Sequence, residues 1–181
     1  GSWDRGYSAQ QTTDGGYIIL GSTFSFGAGN QDVYLVKIAL DGSLQWTKTY
    51  GGTLNDYGNS VKQCSDGGFI IAGYSASYCA IASDVYLVKT ASDGTLQWSK
   101  TFGGADWDIG YSVNQSNDGG YIISAHTINF GAGAADVYLI KTDANGDGPG
   151  CNQTTPLSTV GSGGSAGTGG TPSSGFQSNA G

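Results

Sequence analysis

Asp14-Gly15-Gly16-Tyr17-Ile18-Ile19-Leu20, followed by Asp32-Val33-Tyr34-Leu35-Val36-Lys37, is a pattern that this chain writes three times. The copies open at Asp14, Asp66 and Asp118 and at Asp32, Asp84 and Asp136, a constant spacing of 52 residues. The same register carries Trp46 to Trp98, Gly51-Gly52 to Gly103-Gly104, and Asp4 to Asp56 to Asp108. A residue present in every copy serves to build the unit, because a catalytic centre is normally assembled once.

Each unit reads as four short strands separated by glycine turns, with no stretch long and periodic enough for a helix. In the second copy the strands are expected at 58–64, 69–75, 85–90 and 95–102. Asp66-Gly67-Gly68 and Asp93-Gly94 suit tight hairpins, since glycine tolerates positive φ and aspartate bonds its own backbone. The second and third strands are continuous apolar runs, which implies cover on both faces and therefore sheets stacked on sheets. The fourth strand alternates, Leu44, Trp46 and Tyr50 against Gln45, Thr47 and Thr49, as an outer strand does.

The resulting expectation is all-β: a propeller-like array of three four-stranded antiparallel repeats, the last lacking its fourth strand, with an extended Gly/Ser/Thr-rich C-terminal tail. The repeats are placed at about 1–52, 53–104 and 105–150, and the tail at 151–181. In the third copy Gly148-Pro149-Gly150 stands where the others have Leu-Gln-Trp. Three repeats fall short of the four blades that usually close a propeller, and an unfinished sheet offers an open edge to another strand. Thr155, Leu157 and Val160 form the one strand-like stretch of the tail and are the candidates for such a donated strand.

The strings Trp-(Thr/Ser)-Lys-Thr-(Tyr/Phe)-Gly-Gly, Asp-Gly-Gly-(Tyr/Phe)-Ile-Ile and Asp-Val-Tyr-Leu-(Val/Ile)-Lys resemble propeller-type repeats of secreted and surface proteins of bacteria and archaea. The resemblance spans Ser2 to about Gly148. It implies an extracellular propeller-like module and carries over no catalytic residue. Asp-Gly-x-Leu-Gln-Trp is also similar to the tryptophan-docking motif of quinoprotein propellers, which implies only that the indole packs sheet on sheet.

Composition narrows the function classes. The chain has 181 residues, 33 of them Gly, no Met, 12% charged residues and a net charge of -7. The few lysines are scattered at repeated strand positions, with no basic cluster for nucleic acid. No apolar run approaches the length of a membrane span, and no basic-then-apolar leader is present. The absence of an initiator Met makes the chain read as a processed product or a fragment, although Gly1 to Asp4 falls in register with Thr53 to Asp56. Abundant Tyr, Ser, Thr, Asn and Gly point outside the cell, as do the sequons at Asn114 and Asn152. Three cysteines lack metal-ligand spacing; Cys79 and Cys151 are the candidate disulfide.

Candidate chemistry is sparse. Asp143, Asn145 and Asp147 match the start of a calcium loop, but Thr154 replaces the acidic twelfth ligand, so a decorated turn is the stronger reading and calcium the sole cofactor left open. The repeated aspartates read as caps on backbone N–H groups, the alternative being a cation held where one set converges on an axis. His126 is the only histidine and sits at a position that varies between copies. With no Glu in the chain, a carboxylate pair for glycoside hydrolysis would have to be Asp106 and Asp108, and the first of these is not repeated. Trp3, Trp107, Tyr7, Tyr57, Tyr111, Phe24, Phe26, Tyr78 and Phe130 read as packing between sheets or as platforms for sugar rings. The sequence reading is thus a non-enzymatic extracellular structural or adhesive subunit that assembles with copies of itself into an oligomer or filament. The alternatives are a carbohydrate-binding, lectin-like module, or a fragment of a larger surface propeller protein.

Overall fold

A computed structural model of the chain describes residues 2–79, 81–131 and 134–148, together with the backbone of 153–154. Every regular element is a strand. The first sheet holds β1 (Asp4–Gln11), β2 (Tyr17–Thr23), β3 (Asp32–Ile38) and β4 (Leu44–Tyr50) in that order. The second repeats it with β5 (Asp56–Gln63), β6 (Phe69–Ser75), β7 (Asp84–Thr90) and β8 (Leu96–Phe102). The third has β9 (Asp108–Gln115), β10 (Tyr121–Thr127) and β11 (Asp136–Thr142), and among the described residues no fourth strand. The three sheets form an open array and do not close into a ring.

Local chemistry explains the meander. Gly15, Gly67 and Gly119 have φ near +80°, a region open to glycine at little cost. The preceding aspartate accepts the N–H two residues on, as in Asp66 Oδ1 with Gly68 N at 2.9 Å. The inner strands start two residues earlier than expected, at Asp56 rather than Gly58, because the Asp56 N–H donates to Gln31 O at 2.7 Å. Asp108 N does the same to Ser83 O. These bonds tie each sheet to the one before it.

The continuous apolar runs are covered on both sides in the second sheet, and on one side only in the first and third. Ile18, Leu20, Val33, Leu35 and Tyr50 of the first sheet pack on Val61, Phe69, Ile71, Tyr86 and Val88 of the second. The other face of the second sheet, with Ile70, Ala72, Val85, Leu87 and Phe102, packs on Val113, Tyr121, Ile123, Ala125 and Ile140 of the third. Burying one such side chain contributes roughly 1.5–3 kcal/mol, so these two sandwiched layers hold most of the stabilising surface. The outer strand adds an indole to each layer. Trp46 lies 6.0 Å from Phe69 and Trp98 5.7 Å from Tyr121, ring centre to ring centre, which is the packing role expected of the repeated Trp.

Two residues of the tail are described, and they join a sheet of this same chain. Gln153 and Thr154 pair antiparallel with Phe102 and Thr101, so β12 (Gln153–Thr154) extends the second sheet beyond β8 and not the third. Gly148, Pro149 and Gly150 give a poor continuation of the third sheet: the proline has no N–H for a ladder and the glycines no side chain to pack. Thr155, Leu157 and Val160 lie outside the described residues.

Each indole also rests on the turn of the following sheet. A Cβ placed on Gly94 would stand 2.9 Å from Trp46 Cζ3, whereas one on Gly42, with nearly the same positive φ, meets nothing within 4 Å. Gly42→Ala is therefore expected to cost about 1–2 kcal/mol from the left-handed backbone alone. Gly94→Ala is expected to cost about 1–3 kcal/mol more through overpacking. Urea denaturation of the two variants side by side measures the difference, which reports the contact of this turn with Lys48 and Trp46 of the preceding sheet.

Candidate functional site

The repeated aspartates separate into two kinds of site. Asp14, Asp66 and Asp118 sit in turns and pair with the strand lysine 23 residues on. Lys37 reaches Asp14 at 2.9 Å, Lys89 reaches Asp66 at 2.8 Å and Lys141 reaches Asp118 at 2.7 Å. Each ammonium also donates to a strand carbonyl, Ile38, Thr90 or Thr142. The Thr12 hydroxyl and Lys37 hold the Asp14 carboxyl down at about 2, and Lys141 and Ser116 hold Asp118 low in the same way.

The other two sets meet across the sheet junctions. Asp32, at the start of β3, faces Asp56, at the start of β5, over Gly51. A Cβ at Gly51 would stand 1.9 Å from Asp32 Oδ1 and 2.6 Å from Asp56 Oδ2. The second junction repeats this with Asp84 and Asp108 over Gly103, at 2.3 and 2.6 Å. All four carboxylates are buried. Asp56 is well provided: Oδ1 accepts from the Ser75 hydroxyl, and Oδ2 accepts from Gly52 N at 2.8 Å and from the Ser77 hydroxyl at 2.6 Å. Asp108 Oδ2 accepts from Gly104 N and Asn129 Nδ2. Asp32 uses Oδ2 on Gly29 N. Asp32 Oδ1, Asp84 Oδ1 and Asp108 Oδ1 find no donor among the described residues. The capping expectation describes Asp32, Asp56 and Asp108, each of which accepts a backbone N–H, and two of the repeated sets also meet in pairs across the junctions.

Burial sets the charge state of these groups. It pushes Asp32 up to about 6, with the Asp56 charge adding to the effect and the Gly29 and Ala28 N–H bonds opposing it. It pushes Asp84 up to about 6, helped by Asp108. Asp56 is raised by burial against the pull of its serine and glycine donors. No ion pair among the described residues involves any of the four.

The remaining candidates fall apart spatially. Asp143 Oδ1 accepts from Asn145 N and Asp147 N and so builds the turn itself, while Asp147 pairs with Lys100 at 2.8 Å. No three His, Cys, Asp or Glu side chains among the described residues converge as metal ligands. Asp106 is exposed and Asp108 is buried at the junction, so the two do not form a carboxylate pair. His126 stacks on Tyr111, with Nδ1 3.4 Å from the phenol oxygen. The Cys79 thiol donates to Ala82 O; its candidate partner Cys151 lies outside the described residues, as does Asn152. Asn114 is exposed on β9, opposite Ile122.

The aromatics divide as the sequence could not. Phe26, Tyr78 and Phe130, at equivalent loop positions, pack against Tyr34, Tyr86 and Tyr138, the first stacked and the other two tilted, and Tyr57 stacks on Tyr74 at 4.6 Å. Trp3, Trp107, Tyr7, Tyr111 and Phe24 are exposed. Tyr7 and Tyr111 sit at the same bulge of the first strand.

One apolar sheet face is open at an end of the array. Val137, Leu139 and Ile122 are 87%, 63% and 39% exposed. Their equivalents Val33, Leu35 and Ile18, and Val85, Leu87 and Ile70, are fully buried by the next sheet. Lys141 is open for the same reason, while Lys37 and Lys89 are buried. At the other end of the array Tyr17, Ile19, Tyr34 and Val36 stand part-exposed where Phe69, Ile71, Tyr86 and Val88 are covered.

No protein-family model matches this chain, and no curated protein matches it significantly.

The junction carboxylates make a sign-specific prediction. Their folded values lie above the unfolded 3.8, so their contribution is fully present below that value and is lost as pH rises through about 6. Asp14 and Asp118 act oppositely, supporting the fold above the unfolded value and losing that support as pH falls toward about 2 for Asp14. Stability should therefore rise by on the order of 1–3 kcal/mol between pH 8 and pH 5 and fall again below about pH 4. Thermal melts across this range measure it, and Asp32→Asn combined with Asp84→Asn should flatten the rise.

Proposed function

We propose that this protein is a non-enzymatic, extracellular structural or adhesive subunit that stacks on copies of itself, each copy contributing three propeller-like blades. The observation that carries this reading is the pair of open sheet faces at the two ends of the array. They resemble the two halves of an interface the chain makes twice internally, with Ser124 where Leu20 and Ala72 stand, Ala9 where Val61 and Val113 stand, and no counterpart of Tyr50 and Phe102 among the described residues of the third sheet. An exposed Ile122-Val137-Leu139 face is unusual for a monomer in water. A second copy offering Tyr17, Ile19, Tyr34 and Val36 is the occupant that fits it with no new side-chain chemistry. The contact is head to tail, so its rotation decides between a closed ring and a filament. The edge of β11, which pairs with no further strand among the described residues, is a second place for a copy to join.

Glycan binding is the second reading. It is favoured by the depression of about 540 Å³ lined by Ser2, Trp3, Arg5 and Phe24, where the Arg5 guanidinium lies 5.4 Å from the Trp3 ring centre and the indole face is available to a sugar.

Light scattering of the intact chain, of a Val137→Lys/Leu139→Lys variant and of a chain truncated after Gly150 separates the readings. The expected result is a defined oligomer or polymer that dissociates in the double variant. The substituted positions are exposed, so the variant should keep the fold, which circular dichroism checks. Assembly lost only on truncation would move the contact to a strand from the tail. A monodisperse monomer in all three would overturn self-assembly and send the search to a glycan array with Trp3→Ala as the control.

A further inference from the structure

Two carboxylates pressed against one point inside a protein need a counter-charge. At each junction of this array the pair is buried, no lysine or arginine pairs with it among the described residues, and an oxygen is left without a donor. Leaving such an oxygen unmade costs about 1–3 kcal/mol, more when it is charged. Asp32 is 1% exposed and directs its unpartnered Oδ1 at the space above Gly51, where Asp56 Oδ2 also points. The second junction repeats the arrangement over Gly103, with Asp84 and Asp108 each leaving Oδ1 unpartnered. In both places the shared point belongs to a glycine, so no Cβ occupies it.

We propose that each sheet junction binds a hard divalent cation, calcium by its donor set, between Asp32 and Asp56 above Gly51 and between Asp84 and Asp108 above Gly103. The donors at these points are oxygens, which suits calcium over zinc or copper. Calcium takes six to eight oxygens at about 2.3–2.6 Å in adaptable geometry, and each junction supplies two carboxylate oxygens facing the shared point, Asp32 Oδ1 with Asp56 Oδ2 and Asp84 Oδ1 with Asp108 Oδ2. Backbone carbonyls and water complete the shell. Magnesium is disfavoured because it demands a near-ideal octahedron and sheds water reluctantly. With two carboxylates per site, affinity is expected at the weak end of calcium modules, a Kd on the order of 0.1–1 mM. The ion bridges one sheet to the next, so its first effect is on stability.

The test uses the full chain, stripped with a chelator and melted at pH 7.5 with calcium chloride, with magnesium chloride, and with sodium chloride at matched ionic strength. The expected result is a rise in Tm of several degrees with about 5 mM calcium and much less with either control. The Asp32→Asn/Asp84→Asn double variant should melt higher than the stripped parent, because like-charge repulsion is relieved, yet gain nothing from calcium. Asp14→Asn, which removes only a turn carboxylate, should keep the calcium response. Should the double variant not fold, terbium decides on the parent chain. The Tyr78 hydroxyl donates to Gly51 O at 2.6 Å, so a lanthanide above Gly51 should emit on tyrosine excitation and be displaced by calcium. The proposal is overturned if calcium gives no shift beyond sodium chloride, if the shift survives in the double variant, or if terbium emission is absent. Stabilisation by acid but not by calcium would likewise overturn it, leaving the pairs to share a proton.

Discussion

Neither face of a sheet in this chain is polar enough to stand in water, and the stacking of one sheet on the next is the constraint from which everything else follows. Val33 and Leu35 in one copy, and Val85 and Leu87 in the next, are fully buried because another sheet lies on them. The same sequence in the third copy leaves Val137 and Leu139 bare. Burial here is a property of position in the array and not of the residue. A sheet is complete only when it has a neighbour on each side, as in other repeat proteins whose stability lies largely in the interfaces.

Polar groups at the junctions answer to the same constraint. Bringing β5 against β1 and β2 forces the Asp56 N–H onto Gln31 O and sets the Asp56 carboxylate beside Asp32. Ser75, Ser77 and Gly52 satisfy Asp56 while Asp32 keeps an oxygen with no donor; at the second junction Gly104 and Asn129 serve one oxygen of Asp108, and both Asp84 and Asp108 keep one without a donor among the described residues. Buried charge without an opposite partner is costly in a low-dielectric interior, and none of these four carboxylates has an ion-pair partner among the described residues. Away from the junctions, the Lys37–Asp14 type of pair binds a strand to its own turn and is indifferent to what lies beyond the sheet.

Much of the fold was legible because local chemistry decided it. Gly67 and Gly94 announce turns, Phe69-Ile70-Ile71-Ala72 announces cover on both faces, and Gly148-Pro149-Gly150 marks where the repeated Leu-Gln-Trp pattern breaks off. The capping role of Asp56 and Asp108 was legible for the same reason. The pairing of Asp32 with Asp56 was not, since it depends on how far one sheet is rotated over another, and no periodicity encodes that angle. Its only trace in the sequence is that Asp84 and Asp108 repeat the same separation with a Gly-Gly step between them. The sorting of aromatics was hidden too: Phe26 and Phe24 are alike in sequence, yet Phe26 stacks on Tyr34 and Phe24 faces solvent. The lysine pairs carried a usable signal, a constant separation of 23 residues from turn aspartate to strand lysine, which composition alone did not weigh.

Because the two internal junctions are near copies of one another, the number of units is not fixed by any one of them. Inserting or removing a 52-residue segment in register would join the same kind of face to the same kind of face and leave each remaining turn, indole and carboxylate pair with its usual company. Unequal recombination between the near-identical stretches can therefore change the length of such a chain without passing through an unfolded ancestor, and length becomes a heritable trait that selection can adjust one sheet at a time.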